Sequence, residues 1–265
     1  MRGVVVIGNL AKDTIDGGRP RVGGAPFHAA RALRLLGGSS RIVARSAEAD
    51  RRALVAPLAA LGVPWSWLGA PATTAFDIRY DGEEREMSIG DPGSPWTLDD
   101  VRAVGRADWV QVGGLTRADF PPDVLAALAR DRRLALDGQA LVRPARTGQL
   151  VLDADYDPEL LRYLTALKLN EEEVAALGGE EQVAELDVPE LLLTHGSTGA
   201  LLITGTQRER IPVRPIETDN PTGAGDAFLA AYAWARARGH GPASAARQAA
   251  TTAARVLELT AAPAA

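Results

Sequence analysis

An α/β protein is predicted here, built on a mainly parallel sheet with helices on both faces and a small antiparallel flap beside it. Three observations carry this. Short apolar runs alternate with helical patterns over most of the chain, and strands separated by helices demand right-handed crossovers between parallel neighbours. Two segments break that rhythm with a period of two, the mark of half-exposed strands. The chain then closes on two helical patterns, from about Gly225 to Arg238 and from Pro242 to Leu259.

Taken in order, Val4 to Ile7 is a β-branched run ended by Gly8-Asn9, as expected of a strand buried on both faces. Phe27 to Leu36 reads as a helix stopped by Gly37-Gly38. Arg41 to Ala44 reads as a strand and Ala47 to Leu61 as a helix. Trp109 to Val112, Leu134 to Asp137, Ala166 to Leu169 and Leu191 to Thr194 are further short strands. Helices are expected between them at Pro121 to Ala129, Pro158 to Tyr163 and Glu171 to Leu177.

The flap comes from two places. Phe76, Ile78 and Tyr80 alternate with polar residues, Asp81-Gly82 supplies a turn, and Met87 and Ile89 resume the alternation, which predicts a hairpin. Thr14 to Val22 holds Asp16-Gly17-Gly18 between strand-like pieces. With no repeat and no linker, residues 1–265 are expected to form one domain with lid strands from about 13–23 and 75–90.

Composition narrows the function. The chain has 265 residues and no cysteine, which excludes disulfides, thiolate metal sites and cysteine nucleophiles and fits a cytoplasmic protein. A net charge of −5 argues against a nucleic-acid partner. The N-terminal apolar run is too short for a signal peptide, and no stretch approaches a membrane span.

The chemistry concentrates in Asn220-Pro221-Thr222-Gly223-Ala224-Gly225-Asp226-Ala227-Phe228. Small residues directly before a helix let a ligand approach the backbone, and first-turn N–H groups have no intrahelical partner. With the helix dipole these donors form an anion site from Gly223, Ala224 and Gly225. Asp226 then stands where a carboxylate accepts a proton from an attacking hydroxyl. A helix N-terminus weakens it as a base, but phosphoryl transfer depends mostly on positioning. The plainer alternative, a helix cap and a turn, uses the same residues.

These residues resemble the C-terminal signature of the ribokinase-like (PfkB) carbohydrate kinases. Further matches follow the family order. Gly8 to Asp13 is similar to a Gly-x-x-x-x-Asp element, and Gly23-Gly24-Ala25-Pro26-Phe27-His28 to the sugar-pocket segment. Lys168-Leu169-Asn170-Glu171-Glu172-Glu173 is similar to a Lys-x-Asn-x-x-Glu motif, and Thr194 to Ala200 to a nucleotide loop. Asp137 and Gln139 resemble a central Asp-x-Gln element. The resemblance implies a ribokinase-like three-layer α/β/α fold with a small β lid. It also implies an ATP-dependent kinase that phosphorylates a hydroxyl of a sugar, nucleoside or polyol.

On that resemblance Asp226 is the base, and Asp13, Gly23, Gly24 and His28 bind the substrate. Lys168, Asn170, Thr194, Gly196 and Gly199 bind ATP. Asn170 and Glu173 organise Mg²⁺ through water, as a first-turn pair of oxygen ligands suits that ion. A capping arrangement explains the same pair. Two departures matter. Asn220 stands where the family has Asp, with Asp219 displaced by one, which speaks against a monovalent-cation requirement. His28 replaces the usual Asn, which predicts a changed acceptor. Both departures motivate an alternative, a non-catalytic nucleotide or sugar sensor of the same fold. A dehydrogenase is disfavoured because no Gly-x-Gly-x-x-Gly follows the first strand. The assembly expected is a monomer or a homodimer.

Overall fold

The computed structural model describes residues 3–81, 84–216 and 221–261. In chain order its elements are β1 (Val4–Asn9), β2 (Ala11–Ile15), β3 (Arg21–Gly23), α1 (Ala25–Leu36), β4 (Ser40–Ala47), α2 (Arg51–Ala59), β5 (Trp65–Ala70), β6 (Thr74–Asp81) and β7 (Glu84–Asp91). Then come α3 (Leu98–Val104), β8 (Trp109–Gly113), α4 (Pro122–Ala129), β9 (Arg133–Asp137), α5 (Gln139–Val142), β10 (Gly148–Gln149), β11 (Ala166–Asn170), α6 (Glu171–Ala176) and α7 (Glu180–Ala184). The chain ends through β12 (Glu190–Thr194), β13 (Ala200–Thr204), β14 (Gln207–Ile211), α8 (Ala224–Ala237) and α9 (Pro242–Ala261).

The main sheet runs β14-β13-β12-β11-β9-β8-β1-β4-β5. Its strands pair in parallel from β12 to β5, whereas β13 and β14 are antiparallel. The first strand shows why the sheet is sandwiched. Val4 and Val6 pack with α1, α8 and α9, while Val5 and Ile7 pack with α3 and α4 on the opposite face. Layers of helix, sheet and helix follow, a three-layer α/β/α fold. Alanine dominates α8, where nine residues from Ala227 to Ala237 are buried, so α1 and α9 can approach it closely.

The second sheet runs β10-β7-β6-β2-β3. Only Leu10 separates β1 from β2, so this sheet is rooted at the carboxyl ends of the main strands. One face of it carries Ala11, Phe76, Ile78 and Ile89, packed with Leu115 from the loop after β8. The ion pair of Lys12 with Asp50 at 3.0 Å ties β2 to the turn before α2.

Several expected boundaries shift. The helix expected over Ala47 to Leu61 begins only at Arg51, because β4 continues to Ala47 between β1 and β5. Pro158 to Tyr163 forms a six-residue 3₁₀ turn instead of a helix. Asp157 caps it, and the return to extended backbone at Leu164 leaves no room for further turns. The flap gains one strand beyond the four pieces expected in 13–23 and 75–90: β2 and β3 pair, as do β6 and β7, and β10 adds to β7. Asp13 lies within β2, opposite Arg21 and Phe76. The Gly82 end of the expected turn, together with Asp219 and Asn220, lies outside the described residues. No helix among the described residues is long and apolar enough to cross a membrane.

Candidate active site

One cavity of about 580 Å³ opens at the carboxyl ends of the main strands, beneath the second sheet. Its walls include Asp13, Gly24, His28, Phe76, Ile78, Met87 and Leu115 at one end. Asp137, Gln139, Arg143, Lys168, Glu173 and Gly223 to Asp226 line the middle. Thr194, Gly196, Gly199, Val213, Arg214, Ile216 and the α9 side chains of Ala250, Ala253, Ala254 and Leu257 line the other end. Of the expected site residues, only Gly23 does not line the cavity itself.

The glycines have steric reasons. A Cβ on Gly23 would lie 1.9 Å from Asp13 Oδ2, so this glycine makes the space in which the carboxylate sits. Gly24 has φ +91°, and a Cβ there would strike the Asn9 carbonyl at 2.4 Å, which lets β1 abut the start of α1. Gly223 caps α8 at φ +85°, ψ 0°, in the left-handed region. A side chain there would meet His28 Nδ1 at 2.3 Å, so imidazole and glycine occupy adjoining space.

No side chain caps α8. The amides of Gly223, Gly225 and Asp226 have no acceptor among the described residues, whereas the Ala224 amide donates to the Pro221 carbonyl at 3.1 Å. Ala224 was expected to join the anion site; its N–H instead closes the turn leading into the helix, so that expectation is corrected. Asp226 Oδ1 is buried without a hydrogen-bond partner. Burial first, and then the nearby Asp137 charge, push its carboxyl up to about 7, against the opposing pull of Lys168 and Arg143.

Lys168 points away from solvent. Its Nζ donates to Asp137 at 3.0 and 3.2 Å and lies 3.8 Å from Glu173. Burial opposes its charge, but Asp137 and Glu173 outweigh that and hold the ammonium protonated. Asn170 and Glu173 form a reciprocal capping box at the start of α6: the Glu173 amide donates to Asn170 Oδ1 at 2.8 Å, and the Asn170 amide to Glu173 Oε2 at 2.9 Å. Among the described residues no three His, Asp or Glu side chains converge as a direct metal site. A hydrated Mg²⁺ fits better, held through water by the oxygens of Asn170 and Glu171 to Glu173 that line the cavity.

His28 is buried, and its Nδ1 has no partner. Burial and the nearby Arg31 push it down to about 3, so the imidazole is neutral throughout the physiological range. Thr194 and Gly196 to Gly199 form the hairpin between β12 and β13; Gly199, at φ +106°, could not carry a Cβ, which would fall 2.2 Å from the Ile211 carbonyl.

Sequence reasoning missed three contributors. Gln111, fully buried in β8, donates to the Asp226 carbonyl at 3.2 Å; a polar residue amid Val110 and Val112 was the available signal. Arg143 and Leu115 carried no local signal, since loops bring them to the cavity. The Leu115 amide is fixed by Asp119 Oδ2 at 2.9 Å.

A sheet-edge cleft with a glycine-lined helix start and a buried carboxylate defines a phosphotransferase-like site on a ribokinase-type fold. The family model described as pfkB family carbohydrate kinase matches residues 12–263, and the chain belongs to that family. A fructokinase from Klebsiella pneumoniae is 25% identical over 249 residues, spanning 85% of this chain and 81% of that protein. An inositol 3-kinase from Oryza sativa subsp. japonica is 32% identical over 186 residues, 63% of this chain and 45% of that one. Among solved structures, a pyrophosphate-dependent kinase in the ribokinase family, complexed with a pyrophosphate analog and myo-inositol, superposes with a TM-score of 0.84 at 25% identity. That match covers 96% of this chain and 95% of the other. Arabidopsis thaliana ribokinase complexed with ribose and ATP gives 0.72 at 22% identity over 97% and 92% of the two chains, a likeness of fold.

Proposed function

We propose that this protein is an ATP-dependent kinase that transfers the γ-phosphoryl group to a hydroxyl of a sugar, nucleoside or related polyol. The carrying observation is Asp226 Oδ1, buried and without a partner at an uncapped helix start inside the cavity. The chain acts as one kinase domain, with the second sheet as its lid over the acceptor.

In this reading the acceptor lies between Asp13, Gly24 and His28, against the apolar wall of Phe76, Ile78, Met87 and Leu115. The unpartnered His28 Nδ1 bonds an acceptor hydroxyl. Asp226 orients the attacking hydroxyl and receives its proton, while the Gly223 and Gly225 amides face the charge on the phosphoryl oxygens. Lys168 keeps Asp226 ionisable by balancing Asp137 and Glu173, so its part in donor binding is indirect. Asn170 and Glu173 would hold Mg²⁺ through water, and the ion, when bound, would neutralise charge on the donor phosphates. Thr194, Gly196 and Gly199 flank the nucleotide, and its base rests on the apolar strip of Val213, Ile216, Ala250, Ala253, Ala254 and Leu257.

A second reading has pyrophosphate as donor; the likeness to a pyrophosphate-dependent kinase at a TM-score of 0.84 favours it. The apolar strip, which pyrophosphate would leave uncovered, favours ATP. The deciding experiment supplies Mg²⁺ with ATP or with pyrophosphate, alongside a library of sugars, polyols and nucleosides, and measures phosphorylated product. Product from ATP alone supports the proposal, and product from pyrophosphate alone replaces its donor. No product from either, together with tight binding of a library member, establishes the sensor.

A further inference from the structure

The cavity middle is crowded with carboxylates, yet a polyphosphate donor is itself strongly anionic. Asp137, Glu173 and Asp226 all face the space where the phosphates would lie. Among the described residues three cations line the same cavity. Lys168 is committed to Asp137 and Glu173. Arg214 lies 3.8 Å from Glu258 and is 85% exposed at the far end. Arg143 differs from both: its guanidinium makes no hydrogen bond or ion pair among the described residues, although it lies near enough to lower the proton affinity of Asp226 and Glu173.

Its backbone, by contrast, is fixed. The Arg143 amide donates to the Gln139 carbonyl at 3.1 Å, and its carbonyl accepts from the Arg117 amide at 2.9 Å. A pinned main chain carrying a half-buried, uncommitted guanidinium into a cleft is a poised anion receptor. A planar fork matches phosphate oxygens, and holding such a charge unpaired has no structural benefit.

We propose that Arg143 is a further catalytic residue, whose guanidinium contacts the phosphoryl group as it passes from donor to acceptor. This rests on the kinase reading above. In the step concerned the acceptor oxygen forms a bond to the γ-phosphorus, the bond from that phosphorus to the bridging oxygen breaks, and the leaving diphosphate takes its electron pair. The hydroxyl proton goes to Asp226. Arg143 exchanges no proton and stabilises the charge on the oxygens of the transferred group.

The test compares wild type, Arg143→Ala and Arg143→Lys by steady-state kinetics and by calorimetric titration of the metal-free protein with inorganic pyrophosphate. Arg143→Ala is expected to lower kcat by roughly 100-fold with the acceptor KM within about threefold of wild type, and Arg143→Lys to recover part of the loss. Pyrophosphate affinity should fall about tenfold in Arg143→Ala. Thermal unfolding should change little, since among the described residues the side chain has no hydrogen-bond or ion-pair partner to lose. An unchanged kcat, or a raised acceptor KM at full kcat, overturns the proposal. Should wild type phosphorylate nothing, the kinase reading falls, and the titration decides alone: equal pyrophosphate affinity in wild type and Arg143→Ala then overturns the role of Arg143.

Discussion

Lys168 Nζ lies 3.0 Å from Asp137 Oδ2, with the two side chains only 5% and 4% exposed. The same Nζ would sit 2.9 Å from a Cβ on Gly225, so the pair lies directly beside the residue preceding Asp226. The anion cradle thus rests beside a buried ion pair, and Lys168, with Arg143, offsets the carboxylate charge around the base. Lys168→Met should cost about 3–5 kcal/mol of stability, because it strands a buried carboxylate. It should also move the acid limb of the pH–rate profile upward by removing a charge that favours ionised Asp226. Chemical denaturation and a pH–rate profile measure both; a profile in the wild-type position refutes the electrostatic role.

Asp226→Asn should lower turnover by roughly 100- to 10,000-fold while pyrophosphate and nucleotide binding persist. In the wild type, kcat/KM should rise with pH through about 7, as the carboxylate becomes the ionised form that accepts a proton. A variant that keeps a tenth of wild-type turnover removes Asp226 from the reaction.

Three buried groups act on stability here, the Asp226 and Asp119 carboxyls with one sign and the His28 imidazole with the other. Asp226 is raised from 3.8 to about 7 in the folded chain, so between those values the folded state holds a proton the unfolded state lacks, and stability falls as pH rises. His28 is lowered from 6.5 to about 3, so in that window the unfolded state holds the extra proton, and stability falls as pH drops. Asp119, pushed up to about 6 by burial, acts with the sign of Asp226. Each group contributes up to about 1.4 kcal/mol per pH unit, so between about pH 4 and 6 the two carboxyls outweigh His28 and stability falls as pH rises. His28→Asn should steepen that fall, and Asp226→Asn should flatten it by a similar amount. Denaturant titrations at about pH 4.5, 5.5 and 6.5 read both changes. A slope left unchanged by either substitution contradicts the assignment.

Gly223→Ala combines a left-handed backbone with a collision against His28. About 1–2 kcal/mol comes from the backbone and about 1–3 from the overlap. Adding His28→Ala should restore only the overlap part. A double-mutant cycle on unfolding free energies tests this, and strict additivity counts against the contact.

Ala254→Trp should fill the apolar strip on α9 and raise the KM for ATP by at least about tenfold, while leaving pyrophosphate binding unchanged. Equal loss for both ligands would place the base elsewhere.

Much of the site was readable one residue at a time wherever the signal was local. Gly223 to Asp226 announced an uncapped helix start because the small residues and the carboxylate are contiguous. The capping box of Asn170 and Glu173 was readable for the same reason, three residues apart on one turn. Arg143, Leu115 and Gln111 were not: Arg143 follows α5 and Leu115 follows β8 into the cavity, Gln111 lies within β8 and meets only the Asp226 carbonyl, and none has a neighbour in sequence that shares its purpose. The second sheet was half visible: β6 and β7 alternate cleanly, whereas β10 has only Gly148 and Gln149 and is a strand solely because Ile89 and Ser88 lie opposite.

Local chemistry in the sequence by itself determined the strands buried on both faces, the alanine-rich terminal helices, the glycine cradle and the aspartate beside it. Those are settled by side-chain volume, backbone freedom and unpaired first-turn amides, which act over a few residues. Tertiary structure alone decided that Lys168 spends its charge on Asp137, that His28 is neutral against Gly223, and that Ala224 turns its amide to Pro221. Charge and protonation depend on burial and on neighbours distant in the chain, and only the folded sheet brings these together.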